Sequence, residues 1–139
     1  MKDTLTNVIL SIKPVYADAI MAGVKKVEFR KKIFKRPVDK IYVYSSSPEK
    51  KIIGYFTIHS IVEDTPSNLW ETFKKVGGIA KDAFFEYYKD TEKGFSIKID
   101  KFERFDCKVD PNNVIEKFIA PQSYLYLEET VMQNISLIK

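Results

Sequence analysis

The sequence predicts an α+β fold, a mixed β-barrel with two or three peripheral helices. Sixteen isoleucines and eleven valines outnumber six leucines, and 19 residues are aromatic. β-Branched and aromatic side chains suit a pleated surface and argue against a helical bundle. Apolar periodicity also switches repeatedly between two and the helical spacing within one short chain. Finally, 139 residues are enough for one globular domain and short for two, so a single domain spanning residues 1–139 is expected. No internal repeat, low-complexity segment or linker interrupts it.

Val8 to Ile12 is a compact apolar run that reads as a buried strand. Pro14 then opens a helix at its first turn, with Val15, Ala19 and Ile20 at helical spacing and Gly23 as its stop. From Lys26 the period becomes two, which sends Val27 and Phe29 to one face and Glu28 and Arg30 outward from the other. A basic loop from Lys32 to Asp39 leads to a short strand, Lys40 to Tyr44, and a turn, Ser45-Ser46-Ser47-Pro48. Lys51 to Asp64 is the longest strand, with Phe56, Ile58 and Val62 on one face and Gly54 marking a bulge or close approach. Thr65-Pro66 caps a helix whose stripe is Leu69, Trp70 and Phe73 and whose end is Gly77-Gly78. Lys81 to Lys89 reads as another helix, Phe95 to Phe105 as a strand, and Asp110 to Asn113 as a polar loop holding Cys107 before it. Pro121 to Leu127 gives a last core strand, and the tail from Glu129 is open between helix and strand.

Several chemistries are excluded by count. One cysteine, Cys107, allows no intramolecular disulfide and no multi-cysteine zinc site. His59 is the only histidine; it sits mid-strand and is expected to be half-buried and structural. No Walker A loop or G-x-G-x-x-G is present, so neither cofactor nor metal is expected. No apolar run approaches the roughly 20 residues of a membrane span, and Met1 to Thr6 has no apolar stretch resembling a secretory signal. A cytoplasmic location and no membrane contact are the expectation.

Charge is distributed unevenly. The net charge is +4, yet Lys25 to Arg36 alone holds seven basic residues and one acid, Glu28. Such a cluster attracts polyanions. Lys31, Lys32, Lys35 and Arg36 are therefore candidates for contacts to a nucleic-acid backbone.

The segment Gly23-Val24-Lys25-Lys26-Val27-Glu28-Phe29-Arg30 fits G-x-K-x-x-E-x-R, directly after a helix and opening a strand. Leu10-Ser11-Ile12-Lys13-Pro14 precedes it, the serine turn follows, and Ala120-Pro121-Gln122-Ser123-Tyr124 comes late. In these segments, over roughly residues 8 to 127, the chain resembles small prokaryotic members of the ASCH domain family, whose barrel is similar to the RNA-binding PUA domain. The resemblance implies RNA, or a modified nucleoside or nucleotide, as the ligand of a basic cleft, with a role in RNA metabolism or regulation.

Candidate ligand-binding residues are Lys13, Lys25, Glu28, Arg30, Ser45, Ser46, Gln122, Ser123 and Tyr124. An acid and a guanidinium two residues apart can pair with each other or jointly grip a base or phosphate. The serine turn offers hydroxyls and backbone N–H groups to an anion. Tyr44, Tyr124 and Tyr126 are candidate stacking platforms. The resemblance also implies an enzymatic alternative, since some members are N4-acylcytidine amidohydrolases and some act as ribonucleases. The amidohydrolases resemble this chain at Gly23, Lys25 and Arg30 but use a threonine nucleophile where Glu28 stands. In that alternative Lys25 and Glu28 would be the catalytic pair, activating a water. A regulatory domain docking an acidic protein partner is a third reading.

Overall fold

The computed structural model describes residues 6–138. The first five residues, and with them most of the segment read above for a secretory signal, lie outside that range, as does Lys139. Chain order is β1 (Thr6–Ile12), α1 (Pro14–Met21), β2 (Val27–Arg30), β3 (Val38–Ser45), β4 (Lys51–Asp64), α2 (Pro66–Phe73), α3 (Lys81–Tyr87), β5 (Gly94–Val109), β6 (Tyr124–Leu127) and α4 (Glu129–Ile138). The strands form one mixed sheet in the order β2-β5-β4-β3-β1-β6. β1 runs parallel to β3, and the other four pairings are antiparallel.

Two junctions show how the sequence shapes the sheet. Pro14 starts α1 where its missing N–H costs nothing, and Gly23, at φ 77°, reverses the chain into β2. Gly54 lies at a break in the β4–β5 register, and a Cβ there would sit 2.3 Å from the Glu103 carbonyl oxygen. The close approach expected at Gly54 is therefore real, and the register breaks beside it.

Three apolar clusters follow. The sheet interior gathers Leu10, Ile20, Ile41, Val43, Phe56 and Ile97 beneath α1. The outer face packs Ile9, Tyr44, Ile52 and Val109 under Ile135 of α4. Val27 and Phe29 meet Leu69 and Phe73 from α2, Phe84 from α3 and Tyr88 at the C-cap of α3. The hydrogen-bonded ladder leaves β2 and β6 as edges, so the sheet is barrel-like but not closed by strand pairing.

Some expectations change. Four α-helices are present among the described residues rather than two or three, because the tail forms α4. β5 runs on to Val109, which places Cys107 on an exposed strand rather than in a loop. His59 is exposed, its Nδ1 3.1 Å from Ser60 Oγ. Val62 is 36% exposed because the register shifts flanking Ile58 turn the end of β4 away from the Phe56 face. β6 is a half-buried edge strand and not a core strand. Trp70 is half-buried, its ring 5.2 Å from that of Phe84.

Candidate functional site

The gap between edge β2 and the β1–β6 side of the sheet is bridged by one side chain. Arg30 Nη1 donates to the Ser11 carbonyl and to Glu28 Oε2, and Nη2 donates to Ser123 Oγ, each at 3.3 Å. Ser11 in turn fixes the facing segment, its N–H donating to the Ser123 carbonyl at 3.2 Å and its hydroxyl to the Pro121 carbonyl at 2.7 Å. These Arg30 bonds are all longer than the usual 2.9–3.0 Å. A phosphate oxygen is a stronger acceptor than the two neutral ones, the Ser11 carbonyl and the Ser123 hydroxyl, and can replace either.

Above Arg30 lies a cleft of about 810 Å³, within the range that holds small ligands. Its floor is Lys25, Glu28 and Arg30. One wall comes from Ala83, Glu86 and Tyr87 of α3 with Ile79 just before it; the other is Ala120 to Ser123. Lys13, Tyr16, Ser46, Lys31 and Lys32 stand around it.

Glu28 and Arg30 do leave β2 on the face opposite Val27 and Phe29, but that face is not solvent. Glu28 is 5% exposed and Lys25 2%. The outward, exposed pair expected from alternation is thus a buried one, because the cleft walls fold over the second face of β2. Lys25 Nζ donates to the Gly77 carbonyl and lies 3.9 Å from Glu28 Oε1, 4.9 Å from the Phe29 ring centre and 5.3 Å from that of Tyr16. Gly78, at φ 63°, presses its Cα against Lys25, where a Cβ would sit 2.7 Å from Lys25 Cβ. α2 ends at Phe73, short of the glycine pair expected to stop it, and Gly77-Gly78 instead seats the amine. Burial pushes the Lys25 amine below its ordinary range, and the Glu28 carboxylate partly restores it.

Of the nominated residues, Lys13, Lys25, Glu28 and Arg30 line the cleft with Ser46, Gln122 and Ser123. Ser45 does not; it is 1% exposed inside β3. Tyr124 is also outside the lining, its ring 4.9 Å from that of Phe34. Tyr44 is 4% exposed, packed 5.3 Å from Phe118, and cannot stack a base. The tyrosines that do line the cleft, Tyr16 and Tyr87, are not among the stacking candidates that the sequence suggests. In sequence they look like ordinary helix-packing residues, and only the meeting of α1 and α3 at β2 reveals them. Burial pushes the Tyr87 hydroxyl above its ordinary range. Among the described residues no group of three His, Cys, Asp or Glu side chains is placed to hold a metal ion. No helix among them is long and apolar enough to cross a membrane.

A model of the ASCH domain matches residues 10–108. The chain belongs to the ASCH domain family. An ASCH domain-containing ribonuclease of Zymomonas mobilis is 26% identical over 134 residues, covering 91% of this chain and 88% of that protein. A large ribosomal subunit protein uL22 of Ureaplasma parvum is 27% identical over 97 residues, with only 31% of its length matched. The crystal structure of ASCH from Zymomonas mobilis superposes with a TM-score of 0.88 at 25% identity, covering 96% of each chain. That of a serine-to-alanine mutant of the same protein reaches 0.90 at 23% identity, over 99% of this chain and 100% of the other. The ASCH fold, with its PUA-like barrel and peripheral helices, is thus the fold of this chain.

Proposed function

We propose that the chain, acting as one ASCH domain, binds RNA in this cleft. Arg30 engages the phosphodiester, and Lys13, Lys31 and Lys32 supply the surrounding positive charge. The observation that carries this reading is Arg30 itself. Its guanidinium lies on the cleft floor in three long hydrogen bonds, two of them to neutral oxygens that an anion can displace, with Lys13, Lys31 and Lys32 in the same lining. Tyr16 and Tyr87 give bases an aromatic surface. That a relative aligning over nearly its whole length is named a ribonuclease supports RNA as the ligand class.

Cleavage of the bound strand is a second reading, favoured by the relative's name and by the buried amine. In it, the neutral fraction of Lys25, or Glu28, accepts the proton of the ribose 2′-hydroxyl as its oxygen attacks the adjacent phosphorus. The 5′-oxygen departs with a proton from solvent and a cyclic phosphate remains, while Arg30 stabilises the charge on the phosphoryl oxygens.

One experiment addresses both readings. End-labelled single-stranded RNA is incubated with wild type and Arg30→Ala, and both retention and strand integrity are followed from pH 6 to 9. Binding that weakens with salt and falls at least about tenfold in Arg30→Ala is the expected result, as for loss of a charge-assisted contact. Cleavage through Lys25 requires a rate that rises with pH and disappears in Lys25→Met. Salt-insensitive binding untouched by Arg30→Ala contradicts the proposal. N4-Acetylcytidine in the same assay tests the amidohydrolase alternative, and its hydrolysis would reassign the site.

A further inference from the structure

The loop after β2 reads Lys31-Lys32-Ile33-Phe34-Lys35-Arg36, two pairs of cations around an apolar pair. Ile33 and Phe34 pack against the sheet interior, which turns all four basic side chains to solvent. Each cation pair is held by a tyrosine from a different element, and the two clamps are alike. On α3, Tyr87 accepts the Lys31 N–H at 3.1 Å while Lys31 Nζ lies 5.1 Å from its ring centre. On β6, Tyr126 accepts the Lys35 N–H at 3.0 Å while the Arg36 guanidinium lies 4.2 Å from its ring centre. Lys31 and Lys32 face the cleft, whereas Lys35 and Arg36 lie beyond its lining.

Loops that bind nothing gain little from fixing their backbone under a row of like charges, since order costs entropy and like charges repel. Charges already fixed in place bind an anion without paying that ordering cost again.

From this double clamp we infer that the loop is a two-station phosphate rail, and that the ligand is a single RNA strand longer than the cleft. The inference rests on the RNA reading of the cleft and narrows it, excluding a free nucleoside or mononucleotide as the preferred ligand. Lys31 and Lys32 form the inner station. Lys35 and Arg36 form the outer one, over β6, where the strand leaves. Lys32 and Lys35 are three residues apart, at most roughly 10 Å of chain, so one strand of a few nucleotides reaches both.

The test is equilibrium binding of fluorescein-labelled oligouridylates of two and eight nucleotides to wild type, to Lys35→Ala/Arg36→Ala and to Arg30→Ala. Wild type binds the octamer more tightly than the dimer, and the double variant loses that advantage of length. On single strands each phosphate contact contributes about 0.7 to the salt slope. From 50 to 200 mM salt the wild-type octamer complex therefore weakens about sevenfold more than that of the double variant. Equal wild-type affinity for both lengths, or an unchanged slope in the double variant, overturns the rail while leaving the cleft reading standing. Octamer displacement by polyglutamate of equal charge as readily as by unlabelled RNA also overturns it. Failure of wild type to bind either length, or indifference of both to Arg30→Ala, overturns the cleft reading and the rail together. Thermal melts of each variant confirm the fold.

Discussion

Glu28→Ala is expected to destabilise the protein by about 3–5 kcal/mol, because it strands a buried cation. In a chain of this size that is a fall of roughly 10 °C or more in the melting midpoint. Lys25, 2% exposed, has Glu28 as its counter-ion, and Arg30 shares the same carboxylate. Glu71→Ala makes the contrast. Its ion pair with Lys74 is shorter, at 2.9 Å against 3.9 Å for Lys25–Glu28, but both its side chains are open to solvent. Exposure decides here and not distance, so that change should stay within about 1 kcal/mol. Glu28→Gln keeps an acceptor for Arg30 and should fall between the two.

The pH dependence has a definite sign. Burial holds the folded Lys25 below its ordinary range, so between the folded pKa and about 10.4 the unfolded chain binds a proton that the fold does not. Lys25's contribution to stability therefore rises with pH across that interval. Removing Glu28 deletes the one influence that raises this pKa and extends the interval toward neutrality. Melts of Glu28→Ala should show a larger deficit at pH 7 than at pH 9. Equal deficits for Glu28→Ala and Glu71→Ala would contradict this placement of Lys25.

Phe29→Ala carries the second large effect, about 3–5 kcal/mol for a buried aromatic ring. Its ring is edge-on to Phe84 at 4.9 Å and to Phe73 at 6.5 Å, and its strand neighbour Val27 is fully buried. Gly77 approaches so closely that a Cβ there would lie 2.8 Å from the ring. The cavity left by alanine thus opens beneath the glycine pair that seats Lys25, joining the core to the site. Urea unfolding measures the cost. Phe102, 45% exposed on β5, is the control, and a Phe29→Ala cost no larger than that of Phe102→Ala would place Phe29 outside the core.

Local signals were legible where local physics sets them. Pro14 and Gly23 bound α1, and Thr65 caps α2 by accepting the Asn68 N–H. The bounds of β4 match the alternating segment Lys51 to Asp64. The alternation of β2 gave the correct sides for Val27 and Glu28, but alternation does not say what covers a side. Ser123, which meets Arg30 from across the gap, is 93 residues from it in sequence. The end of β5 beyond Phe105 was illegible for another reason. After Phe105 the next buried residue is Val109, and three exposed residues in a row between them carry no alternation. The basic cluster was legible as charge, but its division by Ile33 and Phe34 into two clamped pairs depends on tyrosines from α3 and β6.

RNA bound in the cleft floored by Lys25, Glu28 and Arg30 would perturb the residues that line it. The direct measurement is a nuclear magnetic resonance titration of isotope-labelled protein with an eight-nucleotide single-stranded RNA. The largest shifts are expected at Arg30, Ser123, Gln122, Lys13 and the Lys31–Lys32 amides, with smaller ones at Lys35 and Arg36. Shifts confined to the outer face around Ile52, Val109 and Ile135, or their absence at saturating RNA, would contradict it.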